Sequence, residues 1–213
     1  MKNSTIYLAV AFFAFSISVS AVDEEGVDPR GDSPEGMAFV YNAEASTVYW
    51  EGSKPGGKHH GTIEVVNGSA VMDGDQITGG TFQLDMSTIR NEDVQNDGMR
   101  ERLVNHLKSE DFFYVEKYPT ATFTITGVDQ MENEPSMHMV TGDLTVRGNT
   151  RPITFPATIT MDDRMVHART GEIVLDRTQW DVNHKSRSIF AGLKDNFIDD
   201  EMIVRLDVHL NRN

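Results

Sequence analysis

The chain alternates apolar and polar residues with a period of two along most of its length after Ala38. Successive side chains of a strand point to opposite faces, so this pattern predicts strands with one apolar face each. In a predicted strand over 122–126, Phe123 and Ile125 share one face and three threonines occupy the other. The inward apolar positions predicted in this way are Val48, Trp50, Phe82, Leu84, Met86, Phe123, Ile125, Leu144, Val146 and Phe155.

Turn signals divide the pattern into about eight strands. Asn67-Gly68 is typical of a type I′ turn and predicts a hairpin between strands over 62–66 and 69–72. The pair Gly79-Gly80 precedes a strand over 81–86 and predicts a bulge or a sharp bend there. The remaining predicted strands cover 47–51, 122–126, 138–146, 152–161, 169–176 and 201–210.

One amphipathic helix interrupts the strands after a polar stretch over 90–98. Met99, Leu103 and Leu107 recur at helical spacing, so one side of this helix is apolar. Asp97 is the predicted N-cap, because a carboxylate there accepts hydrogen bonds from the first free backbone N–H groups.

With so little helix, the strands must bury their apolar faces against each other. About eight antiparallel strands suit either a closed barrel or a two-sheet sandwich, and the residue pattern does not choose between them. Closure into a barrel would remove the exposed edges that long, flat strands otherwise present.

The N-terminus has the pattern of a secretory signal peptide, predicted over 1–21. Lys2 provides the positive charge, an apolar run covers 6–15, and Val19-Ser20-Ala21 supplies small residues for cleavage. The apolar run is too short to span a bilayer comfortably. We therefore expect an exported protein, periplasmic or secreted, with no stable membrane insertion.

The rest of the chain divides into two parts. An acidic segment punctuated by Pro and Gly covers 22–36 and predicts a flexible tether, since it buries too little apolar surface to order itself. The strand pattern then fills a single domain over 37–213, which is large enough to build a hydrophobic core without disulfide or metal crosslinks.

Composition excludes several classes of function. The chain has no cysteine, which rules out disulfides, thiolate metal sites and a cysteine nucleophile. Its formal net charge of −14 at pH 7 repels phosphate backbones, so we expect no nucleic-acid partner.

Three groups of residues raise chemical alternatives. On a strand, adjacent His59 and His60 would point to opposite faces, whereas the flanking Lys54-Pro55-Gly56-Gly57-Lys58 suggests a loop. No His-x-His or His-x-x-x-His spacing supports a metal site in either case. The acidic run over 199–201 lacks the alternating oxygen ligands of an EF-hand loop. A histidine, a serine and an aspartate lie close together over 106–111, but the Gly-x-Ser-x-Gly elbow of serine hydrolases is absent from the sequence. We therefore predict no catalytic residues, no metal and no cofactor.

Several longer motifs together resemble the YceI-like family of lipid-binding proteins. The most specific is the run from His106-Leu107-Lys108-Ser109 to Tyr118-Pro119. The others are Ser46-Thr47-Val48, Gly80-Thr81-Phe82, Leu84-Asp85-Met86, Gly142-Asp143-Leu144-Thr145, Leu175-Asp176-Arg177-Thr178 and Ile198-Asp199-Asp200-Glu201. The resemblance implies an all-β fold, a single extended, lipocalin-like antiparallel β-barrel with a short helical insertion. It further implies an enclosed polyisoprenoid or fatty-acyl lipid, export and no catalysis.

On this basis we expect a carrier that holds the tail of a long apolar amphiphile inside the barrel. The alternatives are an interaction or stress-response module with a filled core, and a hydrolase acting on an exported substrate. The oligomeric state stays open, a homodimer included. By charge, an anionic head group would find partners in His106, Lys108, Lys58 or Arg187. The helical segment expected to cover one mouth of the barrel contributes Leu103, Leu107, Phe112 and Phe113.

Overall fold

A computed structural model describes residues 37–213, which form ten strands, one α-helix and two short 3-10 helices. The predicted signal peptide over 1–21 and the predicted tether over 22–36 lie outside the described residues. The strands are β1 (Met37–Tyr41), β2 (Thr47–Lys54), β3 (Gly57–Asp73), β4 (Gln76–Asn91), β5 (Thr120–Gln130), β6 (Met137–Val146), β7 (Asn149–Met161), β8 (Met165–Thr170), β9 (Ile173–Asp176) and β10 (Glu201–Arg212). The helix α1 covers Asp97–Lys108, and the 3-10 helices cover Ala43–Ala45 and Arg177–Trp180.

The strands close into one antiparallel barrel. From β2 to β8, each strand pairs with the next one along the chain, and β10 joins β8 to β2. Two positions in the barrel wall are each filled by a broken strand. β1 and β2 both lie between β3 and β10, and β8 and β9 both pair with β10. The wall is therefore eight strands around, as expected, and the pairing decides for a barrel over a sandwich.

The last strand, β10, completes the hydrogen bonding of the wall. Its first half pairs with β2, where Leu206 lies opposite Val48, and its second half pairs with β8, where Leu210 lies opposite Val166. The predicted single strand over 169–176 is in fact broken between β8 and β9, and both pieces remain paired to β10.

The hairpin predicted at Asn67-Gly68 is wrong, because β3 runs without interruption through both residues to Asp73. Gly68 serves a different purpose. A Cβ atom at this position would lie 2.5 Å from Cδ1 of Phe82 on β4, so the absent side chain makes room for an inward aromatic ring. Close approach of a neighbouring side chain therefore explains this glycine better than turn geometry does.

An irregularity in strand pairing lies beside Gly79-Gly80, as predicted. Met72 pairs with Ile77 and Val71 pairs with Gly79, which leaves an extra residue on β4 between them. Such bulges increase local twist and help a long hairpin to bend around a barrel.

The helix begins one residue away from its predicted cap. Asn96, not Asp97, is the N-cap, and its side chain accepts a hydrogen bond of 3.0 Å from the backbone N–H of Met99. No helix in the described part of the chain has the length and apolar character needed to span a membrane.

The apolar side chains inside the barrel form two packed clusters. The larger one fills most of the length of the barrel interior and includes Phe39, Phe155 and Val166. The other joins α1 and the turns after it to the strand ends, with Leu107 and Phe112 packed beside Trp50. α1 therefore covers one end of the barrel, as expected.

We expect Gly68→Ala to destabilise the fold by about 1–3 kcal/mol, since overpacking a filled position costs that much. The added methyl would meet the ring of Phe82. Urea unfolding would measure the change, with Gly79→Ala as control because an added Cβ there meets nothing within 4 Å. Equal effects of the two substitutions would contradict the packing role of Gly68.

Candidate functional site

The barrel encloses an elongated apolar cavity of about 190 Å³. Its lining reaches from Trp50 and Met86 near α1 to Ile77 and Ile159 near the opposite end. For comparison, a cavity of about 10–15 Å³ already accommodates a water molecule. An apolar cavity of about 150 Å³ stays dry and binds benzene. The cavity is thus suited to a hydrocarbon guest.

The polar side chains that reach the cavity already have partners in the protein. Trp50 and Trp180 donate their indole N–H groups to the carbonyl oxygens of Arg90 and Leu144. The hydroxyl of Thr170 donates to the carbonyl of Gly171 and accepts from the backbone N–H of Leu206. Tyr49, the neighbour of Trp50 on β2, is largely exposed. The tryptophans and Thr170 therefore leave the interior suited to hydrocarbon rather than to a polar head group.

Arg177 is the cationic side chain in the lining, and the sequence analysis did not select it. Its guanidinium donates to the carbonyl oxygens of Val182, Ile198 and Asp199, and it lies 3.4 Å from a carboxylate oxygen of Asp200. These bonds tie the segment over 181–200 to the end of the barrel. Because they occupy the guanidinium, Arg177 has a structural role here.

Most of the predicted tail contacts do line the cavity. Leu103, Leu107 and Phe112 do not, since they pack between α1 and the strand ends in the second apolar cluster. The predicted residues in the lining are Val48, Trp50, Phe82, Leu84, Met86, Phe113, Phe123, Ile125, Leu144, Val146 and Phe155. Their contact with a ligand remains a prediction.

The two ends of the barrel differ. At the α1 end, the second apolar cluster packs across the strand ends. At the opposite end, a cleft of about 910 Å³ shares Ile77, Val128 and Ile159 with the cavity lining. These three side chains therefore have the cavity on one side and the cleft on the other, which makes the cleft the candidate entrance.

Acidic side chains line the cleft. Asp73, Asp75 and Asp129 contribute carboxylates and His138 an imidazole, and no Lys or Arg within residues 37–213 belongs to its lining. A cleft of this composition favours a neutral or cationic group over an anionic one.

The four predicted head-group partners lie away from the cavity and from the cleft. Lys58 pairs with Glu51 at 3.1 Å, and the guanidinium of Arg187 lies 4.7 Å from the centre of the Phe197 ring. His106 and Lys108 belong to the last turn of α1. Charge in the sequence could not place these residues, because it does not reveal which end of the barrel is open.

The serine, histidine and aspartate over 106–111 do not form a catalytic triad. The Ser109 hydroxyl donates to the backbone carbonyl of His106 at 2.7 Å and thus caps the helix end. Nε2 of His106 lies 3.1 Å from Asp111, and Nδ1 of His184 lies 3.7 Å from the same carboxylate oxygen. Burial lowers the pKa of His184, although Asp111 acts in the opposite direction.

His59 and His60 contribute to one loop contact. Nδ1 of His59 lies 2.8 Å from Asp93, and the backbone N–H of His60 donates to the other oxygen of that carboxylate. Burial acts to raise the pKa of Asp93, but these bonds and one from Asn91 outweigh it and lower the pKa to about 2. These contacts give His59 and His60 a structural role in joining β3 to the segment after β4.

Comparison with known proteins identifies similar chains across the barrel domain. The model of the family described as the YceI-like domain matches residues 39–210. The Escherichia coli O157:H7 protein YceI is 28% identical over 158 residues, which cover 74% of this chain and 72% of that protein. A UPF0312 protein of Photorhabdus laumondii is 48% identical over 48 residues, 22% of this chain and 23% of the relative. The chain thus spans less than a quarter of the length of this relative.

A solved structure from Saccharophagus degradans shares the fold. It is described as a polyisoprenoid binding domain implicated in plant cell wall breakdown, and it has a TM-score of 0.59 at 13% identity. The match covers 83% of this chain and 99% of that chain.

We expect Asp93→Asn to lower stability at neutral pH and to remove part of the acid sensitivity of the fold. Since the pKa is lowered from 3.8 to about 2, the carboxylate stabilises the protein above about pH 4 and loses that effect as the pH falls toward 2. Its side chain is 23% exposed, so solvent screening should limit the effect to about 1 kcal/mol. Thermal unfolding from pH 7 to pH 2 should show the two proteins converging at the acid end. A constant difference across that range would contradict the assignment.

Proposed function

Because the chain belongs to the YceI-like domain family and its barrel encloses an apolar cavity, we propose that it binds a long apolar amphiphile inside the barrel and carries it. The observation that supports this most strongly is the cavity itself, whose polar groups are engaged with the protein. The ligand class is a polyisoprenoid or a fatty-acyl lipid.

The energy of an unfilled cavity supports the same proposal. At about 24 cal/mol per Å³, an empty apolar cavity of 190 Å³ costs the fold roughly 4–5 kcal/mol. A hydrocarbon tail would restore the missing contacts and would add about 25 cal/mol for each Å² of apolar surface removed from water.

The cavity lining contains side chains that can adjust to the shape of an entering tail. Met86 and Met202 belong to that lining, and the unbranched methionine side chain repacks easily around irregular guests. The relative described as a polyisoprenoid binding domain favours an isoprenoid over a straight acyl chain for this barrel.

The head group would remain in the cleft at the open end. Its carboxylates Asp73, Asp75 and Asp129 favour a neutral or cationic head, such as an uncharged quinone or alcohol, over a phosphate or a free carboxylate. The four cationic partners predicted for the case of an anionic head do not line this cleft.

The carrier would act outside the cytoplasm. The signal-peptide pattern over 1–21 supports export. The Ser109 hydroxyl donates to the backbone carbonyl of His106 rather than to an imidazole nitrogen, which supports a binding role over hydrolysis at this position.

Phe82→Asp should abolish retention of a co-purified lipid, since it places a charge in the apolar lining. Gln83→Asp adds the same charge one residue along β4, at an exposed position, and should leave the lipid bound. Native mass spectrometry after purification without detergent would detect the adduct.

Phe82→Asp alone could unfold the barrel, so Leu84→Trp provides a second test. This variant keeps the lining apolar but fills part of the cavity. It should remain folded by circular dichroism and lose the lipid. An unchanged adduct in folded Leu84→Trp, or a wild-type protein that takes up no lipid from prenol-containing vesicles, would refute the proposal.

Replacing Asp73, Asp75 and Asp129 together by Asn should raise the affinity for a fluorescent fatty acid more than for a fluorescent prenol, by about threefold to tenfold. The reason is that removal of three carboxylates reduces repulsion of an anionic head at the entrance. Titration at low salt measures both affinities. The matched control is Asp143→Asn, an exposed carboxylate outside the cleft. Equal changes for both probes would contradict an entrance at this end.

A further inference from the structure

Three potential metal ligands meet at the covered end of the barrel, although they are distant in sequence. His106 is on α1, Asp111 follows in the next turn, and His184 comes from the segment after the second 3-10 helix. Nε2 of His106 and Nδ1 of His184 lie 3.1 and 3.7 Å from one oxygen of Asp111. A tetrahedral zinc ion with bonds of about 2.0–2.1 Å separates its ligand atoms by roughly 3.3–3.4 Å. The two separations from Asp111 are close to that requirement, and all three ligand atoms lie within 4.8 Å of one another.

The orientation of the two imidazoles also suits a shared ion. Their ring planes meet at 86° with centroids 4.8 Å apart, so the two rings are not stacked face to face and leave room for an ion between their ring edges. The buried Phe112 ring contacts both imidazoles, at centroid distances of 4.9 and 5.3 Å, and limits their movement. Pre-positioned ligands lose less side-chain entropy when they bind a metal.

A second group of the same composition provides the contrast. His167 and His209 also face one carboxylate, that of Asp207, but their rings are stacked at 3.9 Å and 11°. Parallel rings direct their lone pairs side by side rather than toward one point. The other oxygen of Asp207 already accepts from Arg169 at 2.7 Å, and that guanidinium would repel a cation. This group therefore lacks the geometry of a metal site.

We propose that His106, Asp111 and His184 bind a zinc ion, with water completing the coordination. Two imidazoles and one carboxylate are ligands that zinc accepts, and the set is open to solvent on one side, since Asp111 is 58% exposed. The ion would connect α1 and the turn after it to the segment over 181–200. It would thereby hold the covered end of the barrel closed while the opposite end exchanges ligand. Zinc binding itself does not depend on the proposed lipid function.

Calorimetric titration of the metal-free, full-length protein with zinc chloride tests the site. Wild type should bind one equivalent, and zinc should raise its melting temperature, because the ion binds the folded state. His184→Gln and Asp111→Asn should each weaken binding at least tenfold. His209→Gln is the matched control and should bind zinc as wild type does.

Cobalt substitution tests direct coordination by His184. If His184 only stabilised the fold, replacing it would not change the absorption spectrum of bound Co²⁺. The wild type and His209→Gln should show the visible absorption of four-coordinate Co²⁺, and His184→Gln should lose it while keeping its circular dichroism spectrum. If His184→Gln bound zinc as tightly as wild type, or wild type bound none, the proposal would be overturned. Loss of binding in His209→Gln alone would assign the metal to the other group and would equally overturn it.

Discussion

The structure depends on the pairing of β10 with strands on both of its sides. β10 joins β8 and β9 to β1 and β2, so this final strand of the chain turns an open sheet into a closed wall. Closure satisfies the backbone groups of edge strands and encloses the apolar face of the sheet. With eight strands around, the interior is at the size where side chains either fill it or leave room for one ligand. In this chain they leave an elongated cavity.

Closure also makes the two ends of the barrel different. The long connection between β4 and β5 contains α1, and the connection between β9 and β10 contains the segment over 181–200, so both cover the same end. The short turns of the β3–β4 and β5–β6 hairpins lie at the other end, beside the acidic cleft. Within residues 37–213, the long connections therefore cover one end, and only short turns lie at the other. A ligand that enters at the uncovered end would place its tail in the apolar interior and its head beside carboxylates.

Much of the fold follows from local rules. The period-two pattern assigned Phe82, Leu84 and Met86 to the interior correctly. In a closed barrel, a register shift of one residue would expose this apolar set and bury the polar side chains between its members. The same local rules failed at Asn67-Gly68. There the turn preference is overridden by pairing of β3 with β4 and by the need to admit the Phe82 ring.

The proposed metal site was less predictable than the fold, because its ligands come from distant positions in sequence. His184 joins His106 and Asp111 only after the barrel has closed, and no spacing rule connects them. The entrance to the cavity was not predictable from the sequence either, since the charge of Lys58 or Arg187 does not indicate which end of the barrel these residues occupy. The structural role of Arg177 was not predictable either, because its guanidinium binds backbone carbonyl groups of the segment over 181–200.

The electron density inside the barrel, in crystals of protein purified from its natural source without detergent, tests the central claim most directly. The account predicts continuous, elongated density that runs from the neighbourhood of Trp50 toward Ile77 and Ile159, with a head group at the acidic end. Interior side chains packed against each other along the whole barrel, with neither a guest nor a continuous space between them, would contradict it.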